Sequence, residues 1–419
     1  MGMTITEKIL AKNSGKTEVK PKEIITAAVD KILIHDLFSP FCIEQFKKMG
    51  FNKIWDKEKV IFVFDHLVPT ALPNDSEHHR KTIEFANKQG IKNIYAANGV
   101  CHQIMVENFV EPGQLILGAD SHTCTYGALG CFSTGIGSTD IATTWASGTI
   151  WLKVPRSIKF VVDGKLPKGV FAKDIILKII GDIGADGATY KTMEFRGSTI
   201  EELSVDSRLT LCNMAIEAGA KNGIIAPDKK VKEYLKQQGR PVKQNNFIKS
   251  DEDADYEKTF EYDASELEPM VACPHTVDNV KPISEIGEVK IDQAFLGSCT
   301  NGRLEDLKIA AKILKGKTIH KNTKLIITPA SKKIFLEAIQ EELIGVFIDA
   351  GGIVTHPACG LCCGRSGGIV SDGEKVISSN NRNYLGRFGS AKSEIYLASP
   401  ATVAASALEG KIVSPSKYI

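Results

Sequence analysis

Short apolar runs that stop abruptly at polar residues constrain the fold of this chain more than any other feature. Val60–Phe64 ends at Asp65, and Gln114–Gly118 stops close to a further aspartate. Ala294–Leu296 leads into the phrase Gly-Ser-Cys-Thr-Asn at 297–301. Runs that are apolar throughout are typical of buried parallel strands. Because ligands of open α/β sheets lie beyond the carboxyl ends of the strands, the polar residues there are candidates for a functional site.

The alternation of strand, turn and helix repeats along the chain, which predicts an α/β fold of three α/β/α units with mainly parallel sheets. A chain of 419 residues is too long for one ordinary hydrophobic core. Val154-Pro155 precedes a new predicted strand, and residues 237–286 form the most polar stretch, which is typical of a linker or an exposed excursion. We therefore predict units at residues 1–155, 156–285 and 286–419.

Charge and composition argue against two classes of partner. The 52 Lys and Arg residues are balanced by 50 Asp and Glu residues, so no basic face for nucleic acid is expected. No apolar run reaches membrane-spanning length, so we expect no membrane partner. The N-terminus lacks the apolar core of a signal peptide. With ten cysteines in the chain, this predicts a reduced, cytoplasmic location in which cysteines bind metal more often than they form disulfides.

Three cysteines stand in phrases suited to metal binding: Cys299 follows a predicted strand, and Cys359 and Cys362 form a Cys-x-x-Cys pair. A closed zinc site needs four ligands, whereas three thiolates suit an iron–sulfur cluster with one iron open to substrate. An open iron is a Lewis acid, which favours an enzyme over an electron carrier. Zinc with a histidine such as His356 is the alternative. Cys363 follows Cys362 directly, and only the two-residue gap favours Cys362 as the ligand.

Histidines near carboxylates follow predicted strands at three places. They are the pair Asp65-His66, the pair Asp120 and His122, and His102. A carboxylate beside an imidazole holds its tautomer and raises its basicity, which suits general acid catalysis on a leaving hydroxyl. One such histidine alone is more often structural, but three at matching positions favour a catalytic site.

A predicted helix at 206–219 places Asn213 and Glu217 four residues apart, hence on one face. Glu217 would hydrogen-bond a histidine of the site there, and a solvated helix face is the alternative. Arg382 and Arg387 lie among Asn and Gly residues. Two guanidinium groups in one glycine-containing loop are suited to bind one carboxylate, and two surface arginines are the alternative.

As a set, these phrases resemble the aconitase family of hydro-lyases from end to end. The resemblance rests on Phe-Asp-His-Leu-Val-Pro at 64–69, Gly-Ala-Asp-Ser-His-Thr at 118–123, Gly-Ser-Cys-Thr-Asn at 297–301, Asn-Arg-Asn-Tyr-Leu-Gly-Arg at 381–387 and the Cys-x-x-Cys loop. It implies aconitase-like domains and removal and readdition of water on a hydroxy acid.

The resemblance also assigns roles to residues. It implies that Cys299, Cys359 and Cys362 hold one [4Fe-4S] cluster per subunit. The catalytic residues that it implies are Asp65, His66, His102, Asp120, His122 and Glu217. The substrate-binding residues that it implies are His35, Ser121, Asn213, Asn381, Arg382 and Arg387.

Two departures from aconitase sharpen the expectation. The chain stops at Ile419 after the third predicted unit, whereas full-length aconitases add a mobile fourth domain with a serine base and an arginine. The two-subunit branch of the family supplies that domain as a small subunit, which we expect as the partner. His35 stands where aconitases carry glutamine, which resembles the 3-isopropylmalate dehydratase and homoaconitase branch. The apolar Leu37-Phe38 beside it favours a small hydroxy-dicarboxylic acid with a branched apolar group, isopropylmalate first, with homocitrate-derived, citramalate and dimethylmalate substrates left open.

Overall fold

A computed structural model of the protein describes residues 2–243 and 246–419. The chain forms two compact units. The first unit comprises the chain up to Ala97, Ile104–Val162 and Ala188–Tyr262, and the second comprises Asn98–Gln103, Asp163–Gly187 and Asp263–Ile419. The predicted α/β class with mainly parallel sheets is confirmed, while the predicted boundaries of three domains stay a prediction.

The described residues form four sheets of short strands. In chain order the strands of the described residues are β1 Ile24–Ala28, β2 Lys31–His35, β3 Val60–Phe64, β4 Ile94–Ala96, β5 Leu115–Gly118, β6 Phe132–Gly135, β7 Thr149–Lys153, β8 Ser157–Asp163, β9 Thr192–Arg196, β10 Asn222–Ile224, β11 Lys258–Asp263, β12 Met270–Ala272, β13 Val280–Pro282, β14 Gln293–Leu296, β15 Lys324–Ile327, β16 Ile353–Val354, β17 Lys375–Ser378 and β18 Glu394–Leu397.

Helices follow most of these strands. In chain order the α-helices of the described residues are α1 Ile5–Ser14, α2 Ser39–Lys48, α3 Pro73–Gln89, α4 Cys101–Asn108, α5 Ser138–Ser147, α6 Ala172–Ile183, α7 Ser198–Glu202, α8 Val205–Met214, α9 Lys229–Gln237, α10 Ser298–Asn301, α11 Leu304–Leu314, α12 Lys332–Gln340, α13 Leu343–Asp349 and α14 Pro400–Glu409.

The first unit holds a five-stranded parallel sheet in the order β4-β3-β2-β5-β6. Strand β2 lies between β3 and β5. The strands β3 and β4 are added on one side of β2, and β5 and β6 are added on the other. Such a reversal of strand order opens a crevice at the carboxyl edge of the sheet. His35 is the last residue of β2, Asp65 directly follows β3, and Asp120 follows β5. The topology therefore brings the three predicted polar positions to one edge.

An apolar core fixes that sheet in place. Trp145 of α5 is fully buried, and its ring lies against those of Phe46, Phe62 and Phe85. Each of these aromatic pairs adds to the free energy gained by burying apolar area. The same unit contains a second sheet in the order β10-β9-β8-β11 and the antiparallel pair β1-β7.

The second unit holds a seven-stranded sheet in the order β13-β12-β18-β17-β14-β15-β16. The strands from β18 to β16 pair in parallel, and β12 pairs antiparallel with both neighbours. Strand β14 lies between β17 and β15. The turn after β14 carries Cys299, and the loop after β17 carries Asn380-Asn381, so both lie at one edge of this sheet.

Two local predictions were wrong. For the polar stretch 237–286 the linker alternative is wrong, because its described residues contain β11, β12 and β13, which join two sheets, whereas the mostly exposed β11 fits the alternative of an exposed excursion. The predicted helix at 206–219 is not one α-helix, since α8 ends at Met214 and a 3-10 helix spans Ala215–Ala218. Among the described residues, no helix combines the length and apolar character needed to cross a membrane.

Candidate active site

The edge of the five-stranded sheet carries a buried group that we call the imidazole–carboxylate cluster: Asp36, Asp65, His66 and His79. The Nδ1 of His66 lies 2.8 Å from Oδ1 of Asp65. Asp36 accepts hydrogen bonds from the backbone N–H groups of His66 and Leu67, at 3.0 and 2.9 Å. The Nε2 of His79 lies 3.0 Å from Oδ2 of Asp36. Asp65 fixes one nitrogen of the His66 ring, while Asp36 fixes its backbone.

The carboxyl group of Asp36 is fully buried. Burial raises its pKa, but the hydrogen bond with His79 and the neighbouring His66 and His35 outweigh burial and lower the pKa to about 2. The carboxylate is therefore ionised near neutral pH. It gives the turn after β2 a fixed negative charge beside His66.

His35 stacks on His66, with ring centroids 4.0 Å apart. Burial and the neighbouring His66 lower the pKa of His35 to about 4. A neutral His35 is required here because two stacked imidazolium rings would repel. Its Nε2 lies 3.2 Å from the carbonyl oxygen of Ala119. Its buried Nδ1 has no hydrogen-bond partner among the described residues, which leaves one ring nitrogen to accept from a ligand.

Another histidine of the first unit, His122, lies between the carboxylates of Asp120 and Glu217. His122 Nε2 lies 2.7 Å from Oε1 of Glu217. Asp120 caps the 3-10 helix Ser121–Leu129 by accepting from the backbone N–H of His122 at 2.7 Å. The predicted hydrogen bond between Glu217 and a histidine is thus present, although Glu217 lies in a 3-10 helix that follows α8.

Asn213 is fully buried and supports the 3-10 helix Ser121–Leu129. Its Nδ2 donates to Oγ1 of Thr125 at 2.8 Å, and Thr125 donates to the carbonyl oxygen of His122 at 2.6 Å. Asn213 therefore acts on the position of His122 through Thr125. Ser121, the first residue of the same 3-10 helix, is partly exposed.

The second unit carries a buried group that we call the thiol cluster: Cys299, Cys359 and Cys362, with Ser298 and Asn381. The amide of Asn381 contacts two of the thiols. Its Nδ2 is 3.3 Å from Sγ of Cys299, and its Oδ1 is 3.5 Å from Sγ of Cys362. Ser298 Oγ lies 3.8 and 3.3 Å from the same two sulfur atoms. One amide and one hydroxyl thus bring Cys299 and Cys362 together.

Cys359 is the third thiol of the cluster, and Cys363 lies in a more exposed environment. Hydrogen bonds with Cys362 and Cys363, together with burial, raise the pKa of Cys359 well above its usual value. Thiolates packed this closely repel, so the group can ionise fully only around a positively charged partner. Cys363 is less buried and donates to the carbonyl oxygen of Gly360 at 3.1 Å. The contacts with Ser298 and Asn381 favour Cys362 over Cys363 as a ligand.

Buried atoms beside the thiols also indicate an additional bound group. Arg387 Nη2 lies 3.9 Å from Sγ of Cys362, and its buried Nε has no hydrogen-bond partner among the described residues. The buried Oδ1 of Asn380 also has no hydrogen-bond partner among the described residues. The Nδ2 of Asn380 lies 3.9 Å from Sγ of Cys362. A native protein seldom leaves such atoms unsatisfied. Three soft thiol ligands beside a buried guanidinium fit an iron–sulfur cluster and an anionic ligand.

The turn that carries Cys299 is held by a buried arginine. Arg303 Nη2 and Nη1 donate to the carbonyl oxygens of Cys299 and Thr300, both at 2.6 Å, and its Nε donates to Oε1 of Gln103 at 3.2 Å. His102, next to Gln103 in α4, is buried, and one of its ring nitrogens lies within 4.8 Å of Sγ of Cys299. The structure thus places predicted His102 near a predicted thiol ligand. Arg382 is half-buried in the loop after β17.

The chain matches the model of the aconitase family (aconitate hydratase) over residues 7–288 and 281–410. The chain belongs to the aconitase family. This confirms the resemblance that the sequence phrases predicted, and the family implies an iron–sulfur cluster.

Relatives that match over their full length agree with this membership, and one solved structure has a similar fold. The chain is 52% identical over 419 residues to 3-isopropylmalate dehydratase large subunit 1 of Archaeoglobus fulgidus, covering 100% of both chains. It is 51% identical to the 3-isopropylmalate dehydratase large subunit of Heliobacterium modesticaldum, covering 99% of both. The fold is similar to aconitase X of Thermococcus kodakaraensis, with a TM-score of 0.51 and 14% identity over 87% of each chain.

Sequence reasoning missed residues whose contacts join distant segments. Asp36 and His79 lie 43 positions apart, and Arg303 reaches Gln103 from 200 positions away. No local spacing predicts such pairs. One signal was available, because Asp36 directly follows a predicted site residue at the end of a buried strand.

Proposed function

We propose that this chain is the large, catalytic subunit of a 3-isopropylmalate dehydratase of leucine biosynthesis. Such an enzyme interconverts 2-isopropylmalate and 3-isopropylmalate by removing water and adding it back in the other sense. Support comes from relatives of that name at about half identity over the whole chain. The observation that carries the chemistry is the thiol cluster, in which one asparagine contacts two of three buried cysteines.

We assign one [4Fe-4S] cluster per subunit to Cys299, Cys359 and Cys362. Three protein ligands leave one iron without a side chain, and when bound the cluster supplies a Lewis acid for the substrate's hydroxyl and a carboxylate. Asn381 would donate to cluster sulfur from its amide. Arg382 and Arg387 would bind the substrate carboxylates through their planar guanidinium groups.

In the proposed reaction, His66 is the general acid that protonates the leaving hydroxyl. Asp65 supports this role because its carboxylate lies 2.8 Å from Nδ1 of His66, where it orients the ring and raises its basicity. Asp120, Ser121 and His122 would hydrogen-bond the substrate.

The remaining predicted residues take supporting roles. His102 would complete the catalytic group. Glu217 and Asn213 would keep His122 in place through the contacts described above. His35, with the half-exposed Phe38 5.5 Å away, would face the branched apolar group of the substrate.

We further propose that a small subunit completes the enzyme. The relatives are named as large subunits, and the family's fourth domain supplies a serine base and another arginine. The large and small subunits should be co-expressed and purified anaerobically, with each also purified alone. We expect a brown large subunit whose isomerase activity appears only with the partner. A colourless large subunit that is fully active alone would contradict the proposal.

A substrate panel with the reconstituted pair tests the specificity. We expect kcat/KM to be highest for isopropylmalate. A homoaconitase would prefer homocitrate-derived acids, and a citramalate or 2,3-dimethylmalate dehydratase would prefer the shorter alkylmalates. A higher kcat/KM for any of these acids would change the substrate that we assign to the enzyme, but not the class of reaction.

A further inference from the structure

Lys173 is a charged residue in a place that disfavours its charge. It is 1% exposed and lies in the first turn of α6. Burial penalises an ammonium group. The amino end of a helix penalises it again, because the helix dipole is positive there. A lysine that served only to pack would be replaced by an apolar side chain without loss.

The ammonium group of Lys173 donates to two consecutive carbonyl oxygens. Its Nζ lies 3.0 Å from the oxygen of Ser379 and 2.7 Å from that of Asn380. Both belong to the loop that directly follows β17. Hydrogen bonds from a charged donor are stronger than neutral ones, so this contact restrains the loop more than an ordinary backbone contact would.

The restrained loop carries the amides of the thiol cluster. Asn380 Nδ2 lies 3.9 Å from Sγ of Cys362. Asn381 contacts the thiols of Cys299 and Cys362 with the two ends of one amide. A rotation of the peptide groups of this loop would move both amides. The charge of Lys173 thus acts on the thiol cluster through backbone carbonyls, without touching a thiol.

We propose that Lys173 is a positioning residue that fixes the loop Ser379–Asn381, so that the amides of Asn380 and Asn381 are held against the cluster-binding thiols. The inference about the cluster rests on the proposed function, whereas the inference about the loop and thiols does not. Groups in this supporting position typically change metal affinity about 10–100-fold.

The test compares Lys173→Met, which removes the donor, with Lys173→Gln, which keeps a neutral donor. Lys178→Met is the matched control, because Lys178 lies on the same helix, is 39% exposed and pairs with Asp182. In cluster-free protein, alkylation of single cysteines by iodoacetamide is followed by peptide mass spectrometry. Cys42, fully buried in the first unit, is the reference thiol for global unfolding.

We expect Lys173→Met to speed alkylation of Cys299 and Cys362 about tenfold while Cys42 stays protected. The alkylation rates in Lys173→Gln should lie between those of the wild type and Lys173→Met, and the rates in Lys178→Met should match the wild type. Equal labelling in Lys173→Met and Lys178→Met would overturn the proposal. So would labelling of Cys42 together with the others, or failure of both Lys173 variants to fold, because Lys173 would then be a residue of general stability.

The reconstituted protein gives an independent reading. We expect the cluster of Lys173→Met to be lost about 10–100-fold faster under a chelator, with an altered electron paramagnetic resonance spectrum of the reduced cluster. An unchanged spectrum and loss rate would contradict positioning of the amides. If wild-type protein binds no cluster at all, the proposed function fails, while the alkylation result still decides the role of Lys173.

Discussion

The imidazole–carboxylate cluster and the thiol cluster are both buried at the carboxyl edge of a parallel sheet, yet they are completed differently. In the first, Asp36 accepts from three backbone N–H groups and pairs with His79, and Asp65 pairs with His66, so the charges and donors satisfy each other. In the second, three thiols crowd together beside Arg387, whose Nε has no partner among the described residues. Hydrogen bonds within the protein complete the first group, whereas the second has buried polar atoms that a bound group would satisfy.

The two clusters should respond differently to loss of the cofactor. The imidazole–carboxylate cluster should survive loss of the cofactor, because none of its hydrogen bonds depends on it. The thiol cluster should keep its arrangement without the cofactor only while its thiols stay protonated, because three bare thiolates would repel. Substitutions in the two groups should therefore give separable effects on cofactor content and on turnover.

The largest effect is expected from Cys299→Ser. A hydroxyl does not replace a thiolate as a ligand to iron, so we expect loss of the cluster and of all activity. Iron and sulfide analysis after anaerobic reconstitution measures it. Cys363→Ser is the control, and we expect it to retain the cluster. If Cys363→Ser loses the cluster and Cys362→Ser keeps it, the ligand assignment is wrong.

His66→Ala should disrupt the imidazole–carboxylate cluster without disturbing the thiol cluster. Losing a general acid lowers turnover by roughly 10²–10⁴-fold, and the iron content should stay at the wild-type level. Steady-state kinetics of the reconstituted pair, with iron analysis of the same sample, gives both numbers. Loss of iron in His66→Ala would contradict the independence of the two groups.

Arg387→Lys should weaken substrate binding while keeping the cluster. A lysine keeps the charge but not the planar pair of donors, and we expect KM to rise about 10–100-fold with a smaller change in kcat. The matched control is Arg365→Lys, an exposed arginine of the same unit. An unchanged KM would remove Arg387 from the carboxylate-binding residues.

The smallest effect is a pH dependence from His35. Its pKa is about 4 in the folded protein and near 6.5 when unfolded, so the unfolded chain binds the extra proton first as pH falls. Stability is therefore lost as pH falls from 6.5 toward 4, and we expect a loss of about 2 kcal/mol between about pH 7 and pH 5. Denaturant unfolding of His35→Gln should show this dependence reduced, with half-exposed His78→Gln as control. Equal slopes in His35→Gln and wild type would contradict a neutral His35.

Sequence patterns predicted the edges of the sheets better than the contacts around them. Val60–Phe64 is a strand with the predicted bounds, because a run that is apolar throughout is stable only when it is buried on both faces. The three cysteines were predicted from ligand chemistry and spacing. In contrast, Lys173 lies in α6 and Arg303 directly precedes α11, and only the tertiary fold reveals which carbonyl oxygens they reach.

The wrong predictions have physical causes as well. The polar stretch 237–286 contains strands because edge strands need only one buried face, as the exposed residues of β11 show. Glu217 reaches His122 from a 3-10 helix, and the switch in helix type at Ala215 has no local signal such as proline. Local pattern thus predicts element type, and long-range packing decides the geometry of the site.

Mössbauer spectroscopy of anaerobically reconstituted, iron-57-labelled protein tests the central claim most directly, because it distinguishes iron atoms by their ligands. We predict a [4Fe-4S] spectrum in which one iron changes when isopropylmalate is added and the other irons do not. A sample without a cluster, or a cluster whose irons all ignore the hydroxy acid, would contradict the account.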